Sequence, residues 1–246
     1  AENVDIKTYV GAYGTAYENY CIGYLYGGNK TSKLTGELKV ENVVLENASG
    51  NFPSEVSDAV ANINGKIYFN LASAIATIGN GDVTINLLRD VTLDYNARDE
   101  YGIEGTTSVT INGNNHTLTL NQKNSDWASI GLVNGKLVLN NMTIEKTGYG
   151  DTSGAWNTHA IIFSSNVEMN EVTVNNAIAV QAGAILNNVA INEANGYYGL
   201  WINGNGQSVT MNGGSITATN GGRGIKIADQ YIDNPAQVKL NVTGTV

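Results

Sequence analysis

The feature that most constrains the fold of this chain is a recurring unit of two short apolar-alternating runs joined by a polar pair. Alternation with a period of two is typical of a β-strand with one buried face, and the polar pair predicts a bend that keeps the apolar side chains together. The clearest copies lie at 137–144, 167–174 and 184–191. A repeat of one small unit is the signature of a solenoid.

The copies recur at the spacing of a solenoid coil. Aligned on the apolar residue before the polar pair, their steps average about 25 residues, as expected for one structural repeat. The aligned residues are Leu88, Ile111, Leu139, Met169, Leu186, Met211 and Leu240. A third short apolar strand accompanies the copies, at 128–133, 160–164, 177–181, 199–203 and 224–228. Three strands per repeat predict an all-β, right-handed parallel β-helix. A β-sandwich is the competing fold, but it does not predict the same bend residue at this period.

Asparagine occupies 35 of the 246 positions, and part of this excess falls at the bends. Side chains at equivalent positions of a parallel β-helix stack from rung to rung, so amides there can bond to one another as a ladder. The predicted ladder consists of Asn112, Asn140, Asn170, Asn187, Asn212 and Asn241.

Composition excludes several classes of protein. A net charge of −9 argues against nucleic-acid binding, which needs clustered lysine and arginine. The single Cys21 excludes a disulfide scaffold. The chain has no apolar run of about 18 residues, so we expect no transmembrane segment.

The stretch before the first regular rung has a different character. Leu71, Ala74, Ile75 and Ile78 fall at helical spacing and are followed by Gly79, which predicts a short capping helix near 70–79. We therefore expect the parallel β-helix to span 63–246. Residues 1–62, rich in tyrosine, are interpreted as an N-terminal β module or an extra rung.

Three elements in this stretch carry a family resemblance: Ala74-Ile75, Gly81-Asp82 and the run at 87–93. They resemble the entry segment of bacterial cell-surface proteins with the pectate-lyase-like parallel β-helix fold. The resemblance implies the fold and leaves the activity open, since such proteins include lyases, hydrolases, adhesins and spacers.

The sequence offers little for catalysis. On the strand face where β-helix enzymes resembling this chain bind polysaccharide, the outward residues are predicted to be Gly131, Ile162, Ala179, Trp201 and Lys226. A glycoside hydrolase needs paired carboxylates, and this row has none. A lyase or hydrolase would have to use a loop-built site, for which Asp151, Glu193 and Arg223 are the candidates. We expect no cofactor or metal. Binding of Ca²⁺ in an aspartate-rich loop is an open alternative, but no Asp-x-Asp-x-Asp motif supports it.

Aromatic residues recur in the segments that return from the bends, and equivalent segments of a solenoid share one side. Aromatic rings with flanking acids and amides are typical of sugar-binding surfaces. The candidate glycan-binding residues are Trp127, Tyr149, Trp156, Tyr197, Tyr198, Trp201 and Tyr231. The competing interpretation is that these rings pack down over the loops, and contact with a surface protein is a third.

These observations favour a non-catalytic, extracellular or cell-surface β-helix module of a bacterial adhesin or fibre, and the loop aromatics give it a candidate surface for glycan binding. The chain begins without a signal peptide, as a mature exported protein does. An alternative follows from Val246, which ends a rung without a capping segment: open strand edges there would allow end-to-end association into a filament.

Overall fold

The computed structural model describes residues 44–45, 59–95, 108–123, 135–148, 160–203, 207–227 and 238–246. Strands make up 66% of these residues, and the only helix among them is α1 (Leu71–Ala76). The strands are β1 (Val44–Leu45), β2 (Ala61–Ile63), β3 (Lys66–Tyr68), β4 (Val83–Leu87), β5 (Val91–Tyr95), β6 (Ser108–Asn112), β7 (Thr117–Gln122), β8 (Lys136–Gly148), β9 (Ala160–Phe163), β10 (Asn166–Val174), β11 (Ala177–Val180), β12 (Ala184–Glu193), β13 (Tyr198–Ile202), β14 (Ser208–Ala218), β15 (Arg223–Ile227) and β16 (Lys239–Thr243).

The strands stack as a parallel β-solenoid of about four turns, which confirms the predicted fold class. In the larger sheet the order is β1-β3-β2-β4-β6-β8-β10-β12-β14-β16, with β5 and β7 continuing it beside β8. The smaller sheet has the order β15-β13-β11-β9. Pairing is parallel from β4 onward and throughout the smaller sheet, whereas β1, β2 and β3 pair antiparallel at the N-terminal end.

In five of the repeats the polar pair forms a bend because its second residue has a positive φ. These residues are Asn141, Glu171, Asn188, Gly213 and Gly244, with φ between 49° and 76°. The left-handed conformation is accessible to glycine and tolerated by asparagine, which explains their recurrence at this position. The hydrogen-bonded ladder runs through the bend, so β8, β10, β12 and β14 each contain both halves of a repeat.

The rung register differs from the sequence alignment at both ends. Ile85, not Leu88, pairs with Ile111 at the first rung. At the last rung Met211 pairs with Val242, not Leu240. Apolar residues two or three positions apart satisfied the pattern equally well there, and only the backbone pairing distinguishes them.

The apolar residues of both sheets fill one continuous core. Along β10, for example, Val167, Met169, Val172 and Val174 are buried, and polar residues alternate with them. In the smaller sheet, strands β9, β11 and β13 are buried on both faces, whereas most residues of β15 are exposed. Ile161 and Phe163 and their equivalents face the main core, whereas a second cluster on the opposite face contains Ala160, Ile162, Ala177, Ala179 and Trp201.

Helix α1 is shorter than the predicted 70–79 segment. The Asn70 side chain accepts the N–H of Ser73 at 3.0 Å as an N-cap, and buried Leu71 and Ala74 face the core. The helix contacts β2, β3 and β5. It ends at Ala76 because the Thr77 hydroxyl donates to the Ala74 carbonyl at 2.7 Å. Of the predicted 1–62 module, only 44–45 and 59–62 lie within the described residues.

Candidate functional site

Three of the seven candidate aromatic residues lie within the described residues: Tyr197, Tyr198 and Trp201. Trp127, Tyr149, Trp156 and Tyr231 lie outside them, as do Asp151 and Gly131. The site is therefore built from the start of β13 and the strand next to it, β15.

Tyr197 and Tyr198 form a ring pair at the entrance to β13. Their centroids are 4.9 Å apart and the ring planes meet at 78°, the edge-to-face arrangement that aromatic quadrupoles favour. Gly196 precedes them with a φ of 79°, which turns the chain into the strand. The Tyr197 carbonyl accepts the N–H of Arg223 at 2.8 Å, so the pair is tied to the next rung. Both tyrosines remain partly accessible to water.

Two cations from β15 lie against these rings. The register places Arg223 beside Tyr198 and Lys226 beside Trp201. Arg223 Nη1 donates to the Tyr198 hydroxyl at 3.2 Å, and Lys226 Nζ lies 5.0 Å from the Tyr198 ring centroid and 4.8 Å from that of Trp201. Both distances are within the range of a cation–π attraction. We call Tyr197, Tyr198, Arg223 and Lys226 the tyrosine–cation cluster.

Trp201 does not present its ring to solvent. It lies on the outward row, as expected, with Ile162, Ala179 and Lys226 in register beside it. Its side chain is fully buried in the second apolar cluster, so the ring is not part of the water-accessible surface that a glycan would contact. Alternation along a strand determines the face of a residue, whereas burial depends on whether that face is covered. The buried Trp201 ring therefore packs beneath Lys226 and contacts its ammonium group.

Of the three candidates for a loop-built catalytic site, Glu193 and Arg223 lie within the described residues. Glu193 is only 1% exposed and follows Ile191 on the inward side of β12. Its Oε1 accepts the N–H of Asn195, an arrangement that closes the local turn. Arg223, in contrast, is exposed and bonded to Tyr198. The two residues thus have separate local roles in the described part of the chain.

The bend asparagines form a continuous side-chain ladder. The ladder has six residues joined by five bonds of 2.7–2.9 Å, in which each Nδ2 after the first residue donates to the Oδ1 of the preceding rung: Asn86, Asn112, Asn140, Asn170, Asn187 and Asn212. Asn86 was missed because the register of its rung was misaligned. Asn241 does not belong to the ladder: it pairs with Thr210, and the Thr243 hydroxyl donates to Asn212 at the last step.

Among the described residues, two ionisable groups have shifted pKa values. A hydrogen bond from Lys136 at 2.5 Å lowers the pKa of Glu168 on the outer face. Burial lowers the pKa of Lys146 to about 8. Lys146 follows Met142 and Ile144 in the inward alternation and pairs with buried Leu120, so the pattern itself predicts an inward lysine.

The described residues contain no group of three His, Cys, Asp or Glu side chains placed to hold a metal ion. The single helix among them, α1, is too short to cross a membrane. No protein family, characterised protein or solved structure matches this chain.

Proposed function

We propose that this chain is a non-catalytic, extracellular or cell-surface module of a bacterial adhesin or fibre, and that it binds glycan at the tyrosine–cation cluster. The observation that carries the proposal is the water-accessible Tyr197–Tyr198 pair, held at 78° beside the exposed Arg223. The pectate-lyase-like and adhesin identity is part of the proposal and derives from the resemblance at 74–93.

The cluster has the chemical groups that sugar recognition uses. A pyranose ring can stack its C–H groups on one tyrosine while the second ring and its hydroxyl lie at the side of the sugar. Arg223 supplies several N–H donors in a fixed plane, suited to hydroxyl or carboxylate oxygens. Because the cluster lies on paired strands, its groups are held in place before the ligand arrives, which reduces the entropic cost of binding.

Two observations weigh against catalysis. The outward row of Ile162, Ala179, Trp201 and Lys226 has no carboxylate. Of the acidic candidates for a loop-built lyase or hydrolase, Glu193 is buried and its Oε1 accepts the N–H of Asn195 in a local turn. A binding role does not need this residue.

A glycan array followed by calorimetry on the strongest hit tests the proposal. We expect Tyr197→Ala and Arg223→Gln each to weaken binding at least tenfold, whereas Lys123→Gln, which removes the same charge at a distant exposed site, leaves the affinity unchanged. An array without a hit, or equal affinity in all three variants, would refute the glycan site. Turnover of any bound polysaccharide would refute the non-catalytic role.

A further inference from the structure

Asn-Gly steps recur in the turns of this chain, and this dipeptide is chemically labile. The backbone nitrogen of the glycine can attack the Cγ of the asparagine, because no side chain on the glycine hinders its approach. Attack needs a carboxamide that is free to react and a backbone in which the two atoms can meet. The steps that lie wholly within the described residues begin at Asn64, Asn80, Asn112, Asn195, Asn212 and Asn220.

The structure protects four of these steps. Asn112 and Asn212 belong to the amide ladder, and each carboxamide both donates and accepts a side-chain hydrogen bond. Asn64 and Asn220 have φ values of 51° and 54°. This left-handed conformation places the next peptide nitrogen on the far side of the Cα–C bond from Cβ, so the nitrogen cannot reach Cγ. The Asn220 Nδ2 also donates to the Ala194 carbonyl at 2.5 Å.

Asn80 and Asn195 lack both forms of protection. Their side chains are exposed, and neither residue has a positive φ. Among the described residues neither carboxamide forms a hydrogen bond, and the backbone N–H groups of Gly81 and Gly196 donate none. The attacking nitrogen and the carbon that it attacks are therefore both accessible at these two steps.

The step at Asn195 differs from the step at Asn80 because it adjoins the tyrosine–cation cluster. Gly196 is packed so closely on the next rung that a Cβ on it would lie 2.7 Å from a carbonyl oxygen there. Tyr197 follows directly, and its carbonyl accepts the N–H of Arg223 at 2.8 Å. The backbone after Asn195 is thus held tightly, and a change in its length has to move Tyr197.

We propose that Asn195–Gly196 is a site of spontaneous deamidation and isomerisation. The Gly196 nitrogen loses its proton to solvent and bonds to the Asn195 Cγ, the bond from Cγ to Nδ2 breaks, and ammonia leaves. Water then opens the resulting succinimide at either carbonyl, which gives aspartate or isoaspartate at position 195. No oxidant, reductant or enzyme takes part. Isoaspartate carries the main chain through Cγ and so adds one atom to the backbone.

This modification acts on the glycan site, a consequence that rests on the proposed function. The added backbone atom displaces Tyr197 and Tyr198, and the new carboxylate places a negative charge next to the ring pair. Affinity for glycan therefore falls as isoaspartate accumulates at position 195. Modification of Asn80 has no such effect, because this residue lies between α1 and β4, whereas the cluster lies on β13 and β15.

Peptide mapping by mass spectrometry, on protein aged at mildly alkaline pH, tests the modification. We expect the steps at Asn195 and Asn80 to react at least tenfold faster than those at Asn112 and Asn212. Asn195→Gln, which would have to close a larger ring, removes the product at 195 and leaves that at 80. In urea the rates should converge, because the fold provides the protection. Equal rates in the folded protein, or a pattern that persists in urea, would overturn the proposal.

Calorimetry with the strongest hit of the glycan array tests the consequence. We expect the aged parent protein to lose binding in proportion to its isoaspartate at position 195, whereas aged Asn195→Gln, converted only at Asn80, keeps its affinity. Unchanged binding by a sample converted at Asn195 would refute the effect on the cluster. Fresh protein that binds no glycan would refute the proposed function instead, and peptide mapping would still decide the modification.

Discussion

The Nδ2 of Asn187 lies 2.7 Å from the Oδ1 of Asn170, although only 17 residues separate them. The step below, from Asn170 to Asn140, covers 30 residues and has nearly the same length, 2.8 Å. The ladder geometry is thus independent of how much chain each rung places in its loops. Side-chain amides and the backbone ladder hold the rungs in register, and loop length is free to vary.

Removal of an interior ladder residue should cost more than removal of the terminal one. Asn187→Ala breaks two amide hydrogen bonds. The Oδ1 of Asn170 then loses its donor, and the Nδ2 of Asn212 loses its acceptor. We expect the free energy of unfolding in urea to fall by about 2–3 kcal/mol. Asn86→Ala breaks one bond and should cost about half as much. Equal losses would show that the ladder contributes little beyond local packing.

The bend position should favour asparagine over glutamate. Glu171 has a φ of 55°, a conformation that is costly for a side chain unable to bond locally. We expect Glu171→Asn to raise the free energy of unfolding by about 0.5–1 kcal/mol. Glu171→Gln removes the same charge but has a longer side chain that does not relieve the cost of the positive φ, so it should have little effect. A similar gain in both variants would assign the effect to charge.

Gly113, at a bend, and Gly224, in β15, differ in the space around them, and this difference can be measured. A Cβ on Gly113 would lie 2.1 Å from Met142 Cβ and 2.7 Å from the Asn141 carbonyl oxygen. Gly113→Ala should therefore reduce stability by about 2 kcal/mol through overpacking. Gly224→Ala, with no atom within 4 Å of the new methyl group, should cause no loss. Thermal unfolding of both variants checks the prediction, and equal midpoints would contradict it.

The sequence was sufficient for the parts of the fold that repeat. Alternation and period predicted the parallel solenoid and five ladder positions from Asn112 to Asn212, because each rung repeats the same physical constraint. The predicted alignment was wrong at the two end rungs, because Leu88 and Leu240 fit the apolar pattern as well as Ile85 and Val242 do. Backbone pairing, which decides between them, is not encoded in a single degenerate copy.

The site was harder to predict for a related reason. The outward row that contains Trp201 and Lys226 followed from alternation, and the structure pairs these residues. Burial of Trp201 did not follow, since a strand pattern does not specify what covers its outer face. The contact of Arg223 with Tyr198 joins residues 25 apart and depends on the register of β13 and β15.

Burial of Lys146 predicts a stability that rises at alkaline pH. The pKa of this amine is about 8 in the folded protein and near 10.5 in the unfolded chain, so the unfolded state binds more protons between these values. The free energy of unfolding should therefore increase as the pH is raised from about 8 toward 10.5. Below pH 8 the amine is charged in both states, and its burial then destabilises the folded state by about 2 kcal/mol. This figure is already reduced because water reaches part of the side chain.

Lys146→Met isolates this effect, because it keeps the side-chain length and removes the charge. At pH 7 we expect its free energy of unfolding to exceed that of the parent chain by about 1–2 kcal/mol. The increase in the free energy of unfolding above pH 8 should disappear in this variant. Lys123→Met, which removes an exposed lysine 3.2 Å from Asp94, should retain that rise. Urea unfolding at several pH values between 7 and 10.5 distinguishes the variants, and a rise that persists in Lys146→Met would assign it to another group.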